Sequence, residues 1–143
     1  MAAEAPGRRR VAALAPWLGR AVLLAATLVF AMIGRKFIAD PVGAAAASDI
    51  TLGSAVAVTN MRASFGAFPL GCALVTLACL VSARRQVAGL AFVAIMIGCV
   101  LAVRILGVLA DGSLAASEVV LTAESVLLAL ALAGLAAHAV RRR

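Results

Sequence analysis

The sequence predicts an all-α integral membrane protein: a four-transmembrane-helix bundle running up and down, with both termini cytoplasmic. Three observations carry this. Hydrophobic residues make up 65% of the 143 and charged residues 13%, against roughly 45–50% and about 25% in a soluble domain. Four apolar stretches, at about 17–39, 57–83, 87–110 and 114–140, each supply the ~20 residues needed to cross about 30 Å of hydrocarbon. Basic residues crowd their ends, at Arg8, Arg9, Arg10, Arg20, Arg84, Arg85, Arg141, Arg142 and Arg143.

Residues 1–16 form a basic cytoplasmic tail ahead of the first span. Trp17 anchors that span at the interface, and Arg20 lies close enough to the end to snorkel to the headgroups. A cleaved secretory signal ending near Ala44–Ala47 is the competing reading. Arg35 and Lys36 follow the apolar run directly, well ahead of those small residues, and favour an uncleaved span. Asp40 to Ser54, DPVGAAAASDITLGS, then reads as the one substantial loop. In the second span Pro69 predicts a kink. Only Arg84, Arg85 and Gln86 separate the second span from the third, and only Asp111, Gly112 and Ser113 the third from the fourth. Links so short make neighbours antiparallel. Residues 141–143 close the chain as a basic cytoplasmic end.

An even number of spans puts the N-terminal arginines, Arg84–Arg85 and Arg141–Arg143 on one side, which the positive-inside rule makes the cytoplasm. The expected location is the bacterial inner membrane, multi-pass. Twelve arginines against one lysine, with abundant alanine, suggest a GC-rich genome. Five of the six acidic residues, Asp40, Asp49, Asp111, Glu118 and Glu124, fall toward the outer side. The net charge of +7 is therefore a membrane-border pattern rather than a nucleic-acid surface; there is no tyrosine and no basic patch interleaved with aromatics. Cys72, Cys79 and Cys99 all lie within spans, odd in number and without a Cys-x-x-Cys pair, so no disulfide framework and no metal site is expected. They read as small packing residues.

Charge inside lipid is the informative feature. An arginine there costs about 2.5–3.5 kcal/mol on insertion scales, so Arg104 should face protein and meet an acid. Counted from the cytoplasmic ends at 1.5 Å per residue, Arg104 lies roughly 25 Å across and Glu124 roughly 24 Å. The two share a level on adjacent antiparallel helices, and a pair is predicted. Arg62, roughly 31 Å across, with Asn60 nearby and Asp111 at the end of the third span, extends this to a polar layer at the outer end of the bundle. Asn60, Arg62, Arg104, Asp111 and Glu124 are thus the candidate polar network and ligand site. A structural bridge pinning the helices explains such a cluster, as does a site for a ligand, proton or ion.

Ala63, Ala67 and Gly71, and Gly98 with Ala102, have the spacing that lets membrane helices approach closely. His138, beside the terminal arginines, reads as interfacial.

The same residues carry a resemblance. NMRASFG (Asn60–Gly66), with Gly71 beyond it, and VRILGVLADGS (Val103–Ser113), followed by Glu124, resemble a family of small bacterial membrane proteins defined as a domain of unknown function with four transmembrane helices. Members show N-x-R-x-x-(Y/F)-G opening the second helix, an arginine run ending in Asp-Gly at the end of the third, and an acid in the fourth. Asn60, Arg62, Gly66, Arg104, Asp111, Gly112 and Glu124 match that pattern over about residues 17–138; Val103 replaces a glycine before the arginine, and no proline follows Gly112. Gly66, Gly71 and Gly112 stand as structural glycines on this reading. The resemblance implies fold and membrane location but no activity.

Two functional classes follow. The first is a non-catalytic binding, transport-accessory or complex-forming component, without cofactor, whose partners are the bilayer, a second copy or another membrane protein. The second is a membrane-embedded carrier or enzyme for a small lipophilic molecule, using Glu124 with Arg62 and Arg104. No nucleophile–base arrangement, phosphate loop or metal-ligand spacing in the sequence supports catalysis.

Overall fold

The computed structural model describes residues 6–112 and 114–142, with backbone alone for 6–12, 114–116 and 142. Arg143, Ser113 of the third turn and the first five residues of the tail lie outside the described residues, as do the side chains of Arg8, Arg9 and Arg10. The described chain has no strand and is helical apart from Asp40, residues 47–54, Ser82 and Gly112: α1 Pro6–Ala39, α2 Pro41–Ala46, α3 Ala55–Met61, a π-helical segment Arg62–Ala67, α4 Phe68–Ala78, a 3₁₀ turn Cys79–Val81, α5 Ala83–Asp111 and α6 Leu114–Arg142. Four stretches are long and apolar enough to cross a membrane: Ala13–Ala39, Ala55–Val81, Ala83–Asp111 and Ser117–Arg141.

Local chemistry sets the boundaries. The segment expected as a loop after Ala39 opens with the short helix α2, because Asp-Pro is a ready-made start. Asp40 caps it by accepting from the Gly43 N–H at 2.9 Å, and Pro41 occupies the first turn, where its missing N–H costs nothing. Ser54 caps α3 by accepting from the Ala57 N–H at 3.1 Å. Ser82, extended at φ −146°, caps α5. That cap draws Arg84, Arg85 and Gln86, expected as the link between spans, into the first turn of α5. At the other end Gly112 adopts φ 67° and its N–H reaches the Val108 carbonyl at 2.9 Å, the left-handed stop that favours glycine.

Pro69 acts in an unexpected way. A proline ring inside an α-helix collides with the carbonyl four residues earlier. Here the preceding turns widen into the π form, and the Phe68 N–H reaches back five residues to Ala63. The chain stays helical through the proline, and the widened turns occupy most of the NMRASFG stretch.

The chain divides into two compact units. One joins the residues up to Leu23 with those from Cys79 onward; the other is Leu24–Ala78. In the second unit, the outgoing half of α1 lies directly on the π segment and α4. A Cβ added at Gly34 would sit 2.8 Å from the Gly66 carbonyl oxygen and 3.0 Å from the Leu70 nitrogen, and one at Gly66 would sit 2.7 Å from Ile38 Cγ1. Phe37 and Phe65 stack at 5.4 Å beside this crossing, and the hydroxyls of Thr27 and Thr76 share a buried hydrogen bond of 2.8 Å. Close approach and interhelical hydrogen bonding of this kind are what hold helices together where no hydrophobic force drives them, as in lipid.

In the first unit α5 and α6 form an antiparallel hairpin. Leu90 meets Gly134, where an added Cβ would lie 3.0 Å from the leucine, and Gly89 meets Leu23 of α1 at the same spacing. Leu23, Leu90 and Val93 are fully buried. Burial stops partway along: from Gly98 to Gly112 and from Ser117 to Leu130 no residue is buried.

Candidate functional site

In that uncovered half of the hairpin lies the pair. Arg104 Nε donates to Glu124 Oε2 at 2.9 Å, and Nη2 donates to Oε1 at 2.8 Å. This is the two-pronged guanidinium–carboxylate geometry, the strongest form of the interaction. The Glu124 side chain is 13% exposed and that of Arg104 34%, so the acid is enclosed while the guanidinium keeps an open edge. Beside that edge runs an open groove of about 390 Å³ lined by Cys99, Val100, Val103 and Arg104. Arg104 carries five N–H donors and the pair engages two of them. Donors therefore remain for an acceptor lying in the groove.

The other candidates divide between the units. Asp111, the last residue of α5, is exposed near the turn. Asn60, at the end of α3, and Arg62, first residue of the π segment, belong to the Leu24–Ala78 unit, and both are exposed. The glycines separate by role. Gly66 is buried at the crossing with α1 and Gly112 terminates α5. Around Gly71 no atom lies within 4 Å of where a side chain would begin, nor around Gly98. Ala63, Ala67 and Gly71 are all exposed; the contact that glycines make possible in this unit is Gly34 on Gly66.

Sequence reading missed a second polar cluster at the opposite end of the hairpin. Gln86 is fully buried, and His138, expected at the interface beside the terminal arginines, is only 4% exposed. Both converge on Gly19: a Cβ there would lie 2.8 Å from His138 Nε2 and 3.2 Å from Gln86 Oε1. Neither amide atom of Gln86 finds a hydrogen-bond partner among the described residues. The signal was Gly19 itself, one helical turn before Leu23, and the antiparallel register that sets position 86 opposite 138. Flanking arginines masked it by making Gln86 look like part of a turn. The Thr27–Thr76 bond was missed too, because single threonines in apolar helices usually bond their own backbone; Thr76 does this as well, with Cys72 and Ala73.

The model of a family described as a domain of unknown function, DUF4345, matches residues 18–135. The chain belongs to this family. No curated protein and no solved structure matches it. The DUF4345 match runs from the start of the apolar part of α1 almost to the end of α6. It therefore embraces both units, the Arg104–Glu124 pair and the π segment.

Proposed function

We propose that this DUF4345 protein is a multi-pass inner-membrane protein, with both termini on the cytoplasmic side, that works by binding rather than catalysis, as a complex-forming or transport-accessory component. The observation that carries this is the uncovered half of the α5–α6 hairpin, bridged by Arg104–Glu124 and open along the groove at Cys99, Val100 and Val103. Over this length no described residue is fully buried, and a mostly apolar groove runs beside the open edge of Arg104, which suits an apolar partner bearing an acceptor. The orientation rests on Arg84, Arg85 and Arg141 lying at one end of the hairpin and Asp111 at the other. In the carrier or enzyme reading Glu124 would exchange a proton. Both its oxygens accept from Arg104, which ties the carboxylate to the arginine and favours the binding reading.

A photo-crosslinking residue at Val103, in the full chain in native membrane, tests this. The expected result is one discrete adduct, protein or small molecule, that disappears when Arg104 and Glu124 are both replaced by leucine. Adducts to bulk lipid alone, equal in both backgrounds, would refute it.

A further inference from the structure

We propose that the other end of the α5–α6 hairpin is a binding site for the phosphate group of an anionic phospholipid. A cavity of about 320 Å³ there is lined by Ala83, Arg84, His138 and Arg141. Two positive features and one buried polar feature meet in it. Arg84 comes from the first turn of α5 and Arg141 from the last turn of α6, both exposed, and among the described residues neither is bridged to a carboxylate. No acidic residue occurs between Asp49 and Asp111 or after Glu124, so neither the start of α5 nor the end of α6 carries a counter-charge of its own. The cavity also lies at the N-terminus of a 29-residue helix. Ser82 Oγ accepts from the Arg85 N–H, whereas the N–H groups of Ala83 and Arg84 have no carbonyl within the helix to bond; they carry the positive end of the helix dipole. Third, His138 lines the cavity while 96% of it is withdrawn from the surface, and the wholly buried Gln86 stands beside it at Gly19.

Position decides the source of the anion. The two spans that form the hairpin are Ala83–Asp111 and Ser117–Arg141, so the cavity opens where both leave the apolar layer. That is the level of lipid headgroups. A phosphate there is already tethered to the membrane, and basic pockets between helices on this side are suited to anionic headgroups. Two guanidiniums exceed the single charge of a phosphodiester, so a lipid with a net negative headgroup satisfies the site better than a zwitterionic one.

The test uses the full chain in phosphatidylcholine nanodiscs doped with phosphatidylglycerol, with native mass spectrometry counting the lipid retained. Arg84→Gln with Arg141→Gln, both exposed, preserves the helical circular dichroism and should weaken retention roughly 25-fold, since each basic residue at an anionic surface contributes about fivefold. Arg35→Gln with Lys36→Gln, the same charge removed elsewhere, should leave retention unchanged, and excess inorganic phosphate should not displace the lipid. The proposal is overturned if the Arg84/Arg141 variant retains phosphatidylglycerol as the unaltered protein does, or if the control variant loses it equally. Displacement by inorganic phosphate would assign the cavity to the free anion and overturn the lipid assignment.

Discussion

The two halves of the α5–α6 hairpin are built by different means. Near Gln86 and His138 the helices bury Gly89, Leu90, Val93 and Ile97 on one side and Ala131, Gly134 and Ala137 on the other. Past Gly98 and before Ala131 no described residue is fully buried; Leu101, Val108, Leu121 and Leu128 are half-buried, and among the described side chains Arg104 and Glu124 bond across. Where full burial ends, a two-pronged ion pair adds to a half-buried seam. For a hairpin in lipid, as proposed above, this is effective because charge has nowhere better to go: a partnered arginine is tolerable, and an isolated one is costly. The pair also leaves the surrounding surface free, as a packed interface would not. Rigidity and availability can then coexist in the same stretch of helix.

Five variants break or sharpen this contrast. The largest effect is expected from Glu124→Leu, which strands Arg104 and should destabilise the protein by about 2.5–3.5 kcal/mol, read by reversible denaturation in mixed micelles. Arg104→Glu combined with Glu124→Arg should recover most of that loss; failure to recover would mean that the two side chains do not act as a pair. Next is Gly34→Ala, in the unit held by close packing. Its new Cβ meets backbone atoms of Gly66 and Leu70, which cannot swing aside, and overpacking of this kind costs about 1–3 kcal/mol. Thr27→Val with Thr76→Val, taken as a double-mutant cycle, should give a coupling near 0.6 kcal/mol, about the average for hydrogen bonds between membrane helices. Smallest is Gly71→Ala, with open space around it. It should be neutral or stabilising by up to roughly 1 kcal/mol, from helix propensity alone. A loss as large as that for Gly34→Ala would show Gly71 to be in contact with a partner.

Much of this was legible in the residues. Composition and four apolar stretches predict an all-helical chain with four helices long enough to cross a membrane, and an uncharacterised family was expected from the sequence, as the match over residues 18–135 shows. The meeting of Arg104 with Glu124 follows from counting rise per residue along two antiparallel helices joined by a short turn. That count works because depth in lipid is a one-dimensional coordinate which a sequence records directly. Facing is harder. The stripe Ala63, Ala67, Gly71 looks like a contact surface on a regular 3.6-residue helix, but the π segment between Arg62 and Ala67 changes the phase, and Gly66 is the residue that meets α1. Pro69 announced a disturbance without saying whether the helix would bend or widen. His138 and Gln86 were hidden because polar residues beside arginines look interfacial until the neighbouring helix is known, and Gly19 was the only local mark of how close that helix comes. Asp40–Pro41 was a start signal passed over in a segment rich in turn residues.

The central claim is that the Arg104–Glu124 ion pair couples the two helices over the half of the hairpin where no described residue is fully buried. A double-mutant cycle on Arg104 and Glu124, measured as unfolding free energy of the full chain in lipid nanodiscs, tests it most directly. The account predicts a coupling of at least about 1.5 kcal/mol, the lower range for close and shielded charge pairs. A coupling below about 0.5 kcal/mol, as solvent-exposed pairs give, would contradict it.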